Sequence, residues 1–142
     1  HYREALRLDS ALASHDTQNL LDRANSLEKI GSLLLRSGDV NGALEHQQKG
    51  RTLREDVVKQ DQENVNARRD VASSYLRLGE TWLKKAEQNK QPSDWQQARQ
   101  WFQRSLDELQ GLKQRGALPK KDEGELDKIV REIAKCDAAL KQ

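Results

Sequence analysis

Apolar residues recur along this chain at intervals of three and four, the spacing that gathers side chains on one face of an α-helix. Tyr2, Ala5, Leu6, Leu12 and Ala13 define a first helix over residues 1–14, and Asp16 or Thr17 is placed to cap a second. That second stripe runs through Leu20, Leu21, Ala24, Leu27, Ile30, Gly31, Leu34 and Leu35. It stops at Gly38, because glycine takes the left-handed conformation that ends a helix at little steric cost. Asp39 can cap the following helix, over 40–60, whose stripe is Val40, Ala43, Leu44, Gly50, Leu53, Val57 and Val58. Gln47 interrupts it where a large apolar residue is expected.

A second cycle opens at Asn64, with Val71, Ala72, Tyr75, Leu78, Gly79, Trp82, Leu83 and Ala86 on one face. The polar, proline-bearing stretch 88–94 reads as a loop, and Ser93 with Gln96 as a capping box for the next helix. Trp95, Ala98, Trp101, Phe102, Leu106, Leu109 and Leu112 give that helix the heaviest apolar load, and Gly116 and Pro119 end it. Asp122 with Glu125 forms another capping box before a last helix with a narrow seam of Leu126, Ile129, Ile133, Cys136 and Leu140. The pattern predicts six helices and no strands.

The two cycles repeat one another. Leu27-x-x-Ile30-Gly31-x-x-Leu34 with Ala43 returns as Tyr75-x-x-Leu78-Gly79-x-x-Trp82 with Ala98. Small residues allow two helix backbones to approach closely while large neighbours fill the remaining space. Self-similarity at this scale marks a stack of helix pairs, which builds an elongated surface.

On these residues the chain resembles a tetratricopeptide-repeat array. Gly31 and Gly79 lie about 48 residues apart, a longer unit than the usual repeat of about 34. The passage from Asp61 and Asn64 through Arg69-Asp70-Val71-Ala72-Ser73-Ser74-Tyr75 to Gly79 is similar to long-repeat arrays that follow bacterial serine/threonine kinase domains. The resemblance implies an all-α, right-handed superhelical stack of antiparallel helix pairs forming one domain over 1–142. Residues 1–15 would be the second helix of a truncated repeat, 16–60 one repeat, 61–116 another with an inserted loop at 88–94, and 121–142 a C-terminal capping helix. Gln47 and Gly50 depart from the pattern, so the first repeat is expected to be the weaker. With no methionine at all, the segment is expected to belong to a longer protein.

In that family the first helix of each repeat lines a concave face. Carried over by position, the partner-binding groove would comprise Asn25, Glu28, Ser32 and Arg36, then Ser73, Leu76, Arg77, Glu80 and Lys84. Glu28 and Glu80 stand where cations would be wanted for a terminal carboxylate, which argues against a chaperone-type tail as ligand.

Composition narrows the function class. Apolar residues are 35% and charged residues 34%, yet the net charge is only +2, so little self-repulsion opposes folding. The basic pairs Arg68-Arg69, Lys84-Lys85 and Lys120-Lys121 are scattered among acids, unlike a nucleic-acid footprint. No apolar run could cross a membrane. One cysteine, Cys136, excludes an internal disulfide and fits a reducing compartment, so a cytoplasmic location is expected. His15 and His46 have no second ligand at metal spacing, no glycine-rich phosphate loop exists, and acidic pairs such as Glu123/Glu125 are ordinary on wet helices. Trp101 reads as core and Trp95 as packing at the helix start, with a partner hot spot as the alternative for both. No catalytic residue, metal or cofactor is therefore expected. The expected function is a non-catalytic scaffold that binds a peptide, a partner protein or a second copy of itself; the alternative is a regulatory or dimerisation arm of a multidomain signalling enzyme.

Overall fold

A computed structural model describes the backbone of residues 2–142 and the side chains of residues 15–142. It contains five helices: α1 (Tyr2–Arg36), α2 (Val40–Gln60), α3 (Val65–Asn89), α4 (Pro92–Gln114) and α5 (Lys120–Leu140). No strand occurs among the described residues. The chain is all-α, with five helices among the described residues in place of the six expected. The expected break at Asp16 or Thr17 is absent, because α1 runs straight through it. No glycine or proline interrupts residues 1–30, and a polar residue inside a helix costs only some tenths of a kcal/mol relative to alanine. The Thr17 hydroxyl donates instead to Gln60 Oε1 at 3.2 Å, tying α1 to the end of α2. The apolar face expected of Tyr2, Ala5, Leu6, Leu12 and Ala13 lies outside the described side chains.

The turns follow their local chemistry. After α1, Gly38 takes φ 92°, its N–H donates to the Leu35 carbonyl and the Asp39 N–H to that of Leu34. Gly116, at φ 70°, ends α4 with the same pair of bonds to Lys113 and, through Ala117, Leu112. Asp39 and Asn64 cap α2 and α3, each accepting a backbone N–H three residues on. The expected 88–94 loop shrinks to Lys90 and Gln91. Lys90 itself goes left-handed, and Pro92 fits the first turn of α4, where its missing N–H has no partner to lose. The Ser93 capping box therefore does not form, nor does that of Asp122, since α5 begins two residues before it at Lys120.

Packing runs chiefly between helices consecutive in sequence. A Cβ added at Gly31 would lie 3.0 Å from Gln47 Cγ and 3.4 Å from the Ala43 carbonyl oxygen, so α1 and α2 meet where the spacing predicts. At Gly79 the nearest neighbour is the Phe102 ring, 2.7 Å from such a Cβ, and not Ala98. Gln47 thus takes over Gly31 the place that Phe102 takes over Gly79. Gly50 lets α2 approach Ala24 and Glu28 on α1.

One apolar cluster joins Val40 and Leu44 to Val71, Tyr75, Leu78 and Trp101; the other joins Ala72, Leu83, Ala98, Phe102, Leu106 and Leu109 to Ile129, Ile133 and Cys136 on α5. Trp101 is buried, with the Arg51 and Arg104 guanidinium groups 5.1 and 4.9 Å from its ring centroid. Trp95 packs against the second cluster. Polar bridges link α1 to α3, and α3 to α5, which puts these three helices on one side with α2 and α4 behind them. No helix among the described residues is long and apolar enough to cross a membrane.

Candidate partner-binding cleft

Positions 25, 28, 32 and 36 fall on one face of α1, advancing by three or four residues, and 73, 76, 77 and 80 on one face of α3, where 73/76, 73/77, 76/80 and 77/80 are three or four apart. Between α1 and α3 they border a cleft of about 450 Å³, lined by Asn25, Glu28, Lys29, Ser32, Leu33, Arg36, Arg54 and Arg77. A second cleft of about 630 Å³ lies between α3 and α5, with Ser105 and Leu109 of α4 in its lining. Ser73, Leu76 and Glu80 line this second lobe, and Arg77 lines both. Lys84 lies off both; its ammonium reaches the Leu35 carbonyl at 3.5 Å, near the end of α1.

A buried charge network forms the floor between the lobes. Glu28 on α1 is 6% exposed and accepts four hydrogen bonds. Arg54 donates through Nε at 2.8 Å and Nη2 at 3.1 Å, the Ser74 hydroxyl at 2.6 Å, and Arg77 Nη1 at 2.6 Å. Arg54, 8% exposed, also donates to Asn25 Oδ1 at 2.5 Å and lies 3.4 Å from Asp70. Burial pushes the Glu28 carboxyl upward, but the hydrogen bonds from Arg54 and Ser74 and the charges of Arg54 and Arg77 outweigh it, so its pKa falls below the ordinary carboxylate value. Asp70 moves the other way: burial, with the Glu28 charge beside it, raises its pKa despite Arg54.

The α3–α5 lobe is braced by two ion pairs, Arg69 Nε to Asp122 at 2.7 Å and Lys128 to Glu80 at 3.6 Å. Ser105 donates to the Ala72 carbonyl at 2.8 Å and so holds α4 against α3. Glu125 Oε2 is buried without a hydrogen-bond partner among the described residues. What these lobes offer chemically is fixed charge and hydrogen-bond donors; neither lining includes a histidine or a cysteine.

The groove candidates divide between the two lobes, Asn25, Glu28, Ser32 and Arg36 in one and Ser73, Leu76 and Glu80 in the other, with Arg77 shared and Lys84 off both; Glu28 enters as an internal tie and not as a surface charge. Arg54, Asp70 and Ser74 were missed, as were Arg69, Asp122, Glu125 and Lys128. Arg54 carried a signal: it follows Gln47 and Gly50 and precedes Val57 at buried-stripe spacing, where an arginine needs an acidic partner. The α5 residues carried none, since nothing local says which face of a mixed-charge helix turns toward α3. His46 Nδ1 donates to the Gly42 carbonyl at 2.9 Å, and Cys136 is fully buried in the core. Among the described residues no three histidine, cysteine or acidic side chains are grouped to hold a metal ion. No protein-family model, curated protein or solved structure matches this chain.

Proposed function

We propose that this chain is a non-catalytic scaffold of tetratricopeptide-repeat type that holds a peptide or a partner protein along the face built by α1, α3 and α5. In this reading its two helix pairs are successive turns of a right-handed superhelix, and that face is the concave one. The observation that carries the reading is the two-lobed cleft, which meets at Arg77 and combines exposed polar side chains with a rigid, hydrogen-bonded floor. A floor that is already ordered favours binding, because few side chains must be immobilised when a ligand enters. The sequential packing of the helices and the matching roles of Gly31 and Gly79 also support it.

The test is selection from a displayed peptide library, followed by retesting the captured sequences on Ser73→Trp. Ser73 is exposed and lines the α3–α5 lobe, so the indole fills the cleft without entering the core. Captured peptides should lose at least about tenfold in affinity, equivalent to about 1.4 kcal/mol, with an unchanged melting curve. Capture that is indifferent to Ser73→Trp and to charge changes at Lys29 and Arg36 would place binding elsewhere and refute the use of this face.

A further inference from the structure

We infer that the α1–α3 lobe selects an acidic peptide segment, one that presents two carboxylates flanking an apolar side chain. The inference rests on the scaffold reading and adds the chemistry of its ligand. Four basic side chains line this lobe, Lys29, Arg36, Arg54 and Arg77, against the single carboxylate of Glu28. That carboxylate is consumed internally by Arg54, Ser74 and Arg77. The lobe therefore presents an excess of positive charge, and part of it is immobile because Arg54 is clamped by Glu28 and Asn25. Fixed charge of one sign attracts its opposite and rejects its like.

Lys29, Leu33 and Arg36 follow one another along a single stripe of α1, four and then three residues apart. All three are exposed, Leu33 at 61%, and neither cation has an ion-pair partner among the described residues. Arg77 remains 47% exposed even while bonded to Glu28. The two cations of the stripe stand about 10 Å apart along the axis at about 1.5 Å per residue. An extended peptide rises about 3.3 Å per residue and shows alternate side chains on one face. Acid, apolar and acid at every second position then span about 13 Å, and the long Lys29 and Arg36 side chains make up the difference. The α3–α5 lobe carries Asp70, Glu80, Asp122 and Glu125 against Arg69, Arg77 and Lys128, so it disfavours the same segment. The acidic stretch belongs at the α1 end.

The probe is a fluorescein-labelled peptide Gly-Glu-Ser-Leu-Ser-Glu-Gly, read by anisotropy on the full chain. Its comparisons are the same peptide with glutamine for both glutamates, the peptide with serine for leucine, and a single-stranded oligonucleotide. The glutamine and serine versions should each bind at least about fivefold more weakly, and raising the salt severalfold should weaken the parent peptide similarly. Lys29→Glu with Arg36→Glu should abolish binding, and Lys29→Gln with Arg36→Gln should weaken it, with melting curves unchanged in both. Equal binding of the glutamine peptide, or tighter binding of the oligonucleotide, overturns the inference. Library selection separates the two claims: cleft-bound peptides without acidic bias overturn only the acidic preference, whereas no capture of any peptide overturns that preference together with the peptide-binding form of the scaffold reading.

Discussion

Replacing Glu28 by glutamine tests the network that ties three helices together. The substitution keeps the shape and one acceptor but turns the other oxygen into an amide donor. In the structure that oxygen accepts from Arg54 Nη2 at 3.1 Å and Arg77 Nη1 at 2.6 Å, so the new N–H₂ would face two donors. Arg54, whose side chain is only 9% exposed, would keep Asn25 and the half-exposed Asp70 at 3.4 Å but lose its buried counter-charge. Removing one partner of a buried pair costs about 3–5 kcal/mol, and the residual Asp70 contact puts the expectation near the lower end, at about 3 kcal/mol. For a chain of this size that lowers the melting temperature by about 10–12 °C. Circular dichroism at 222 nm during thermal and urea unfolding reads the loss. Replacing the pair together, Glu28→Leu with Arg54→Met, should recover most of it, since neither buried charge is then stranded and the partners that remain, Asp70 and Arg77, are half exposed to water. The pH dependence has a definite sign. Because the folded-state pKa of Glu28 is depressed, its contribution is fully present above the ordinary carboxylate pKa and is lost as pH falls through the folded value. The gap between parent and Glu28→Gln should therefore be wide at neutral pH and narrow in acid below about pH 4. A melting temperature within about 3 °C of the parent at neutral pH would mean the network contributes no more than surface pairs do, and the reasoning would fail.

Three further outcomes follow from other sites. Gln47→Met should raise stability by about 1 kcal/mol, because Gln47 Oε1 is buried without a partner and methionine keeps the shape; a loss in urea melts would refute this. Gly79→Ala should destabilise by about 1–2 kcal/mol as its methyl meets the fully buried Phe102 ring, whereas Gly111→Ala, with open space around it, should stabilise by up to about 1 kcal/mol; equal effects would contradict the packing described. The Cys136 thiol, pushed up to about 11 by burial and by the nearby Glu132 and Asp137 charges, should react with a thiol reagent at pH 8 only after denaturation; prompt labelling of the native chain would show otherwise.

How far the structure could be read in advance depended on the range of the interaction. Gly38, Asp39, Asn64 and Gly116 act within a few residues of themselves, so each turn and cap stood in the sequence as the structure has it. Asp16 and Thr17 suit a helix cap, but a polar residue can equally sit inside a helix when nothing forces an end, and here α1 continues through them. Pro92 lies in a polar stretch that reads as a loop, although its fixed φ equally suits a helix's first turn, where the structure has it. The faces of α1 and α3 followed from periodicity, but the partners of their charges did not. Glu28 meets Ser74 and Arg77 from more than forty residues away, and Asp122, expected as a cap, is spent on Arg69. Periodicity reports that a side chain turns inward; only the assembled helices report what it finds there.

The tie between α1 and α3 has a mechanical meaning. Two rods packed by bulky apolar chains can slide or splay by small repacking, but here a carboxylate bolted to Arg54, Ser74 and Arg77 acts as a gauge block between them. Together with the packing of both helices on α2, that group and its partners hold the aperture of the basic lobe. A substitution that leaves every exposed cation in place but alters position 28 would change what the aperture admits.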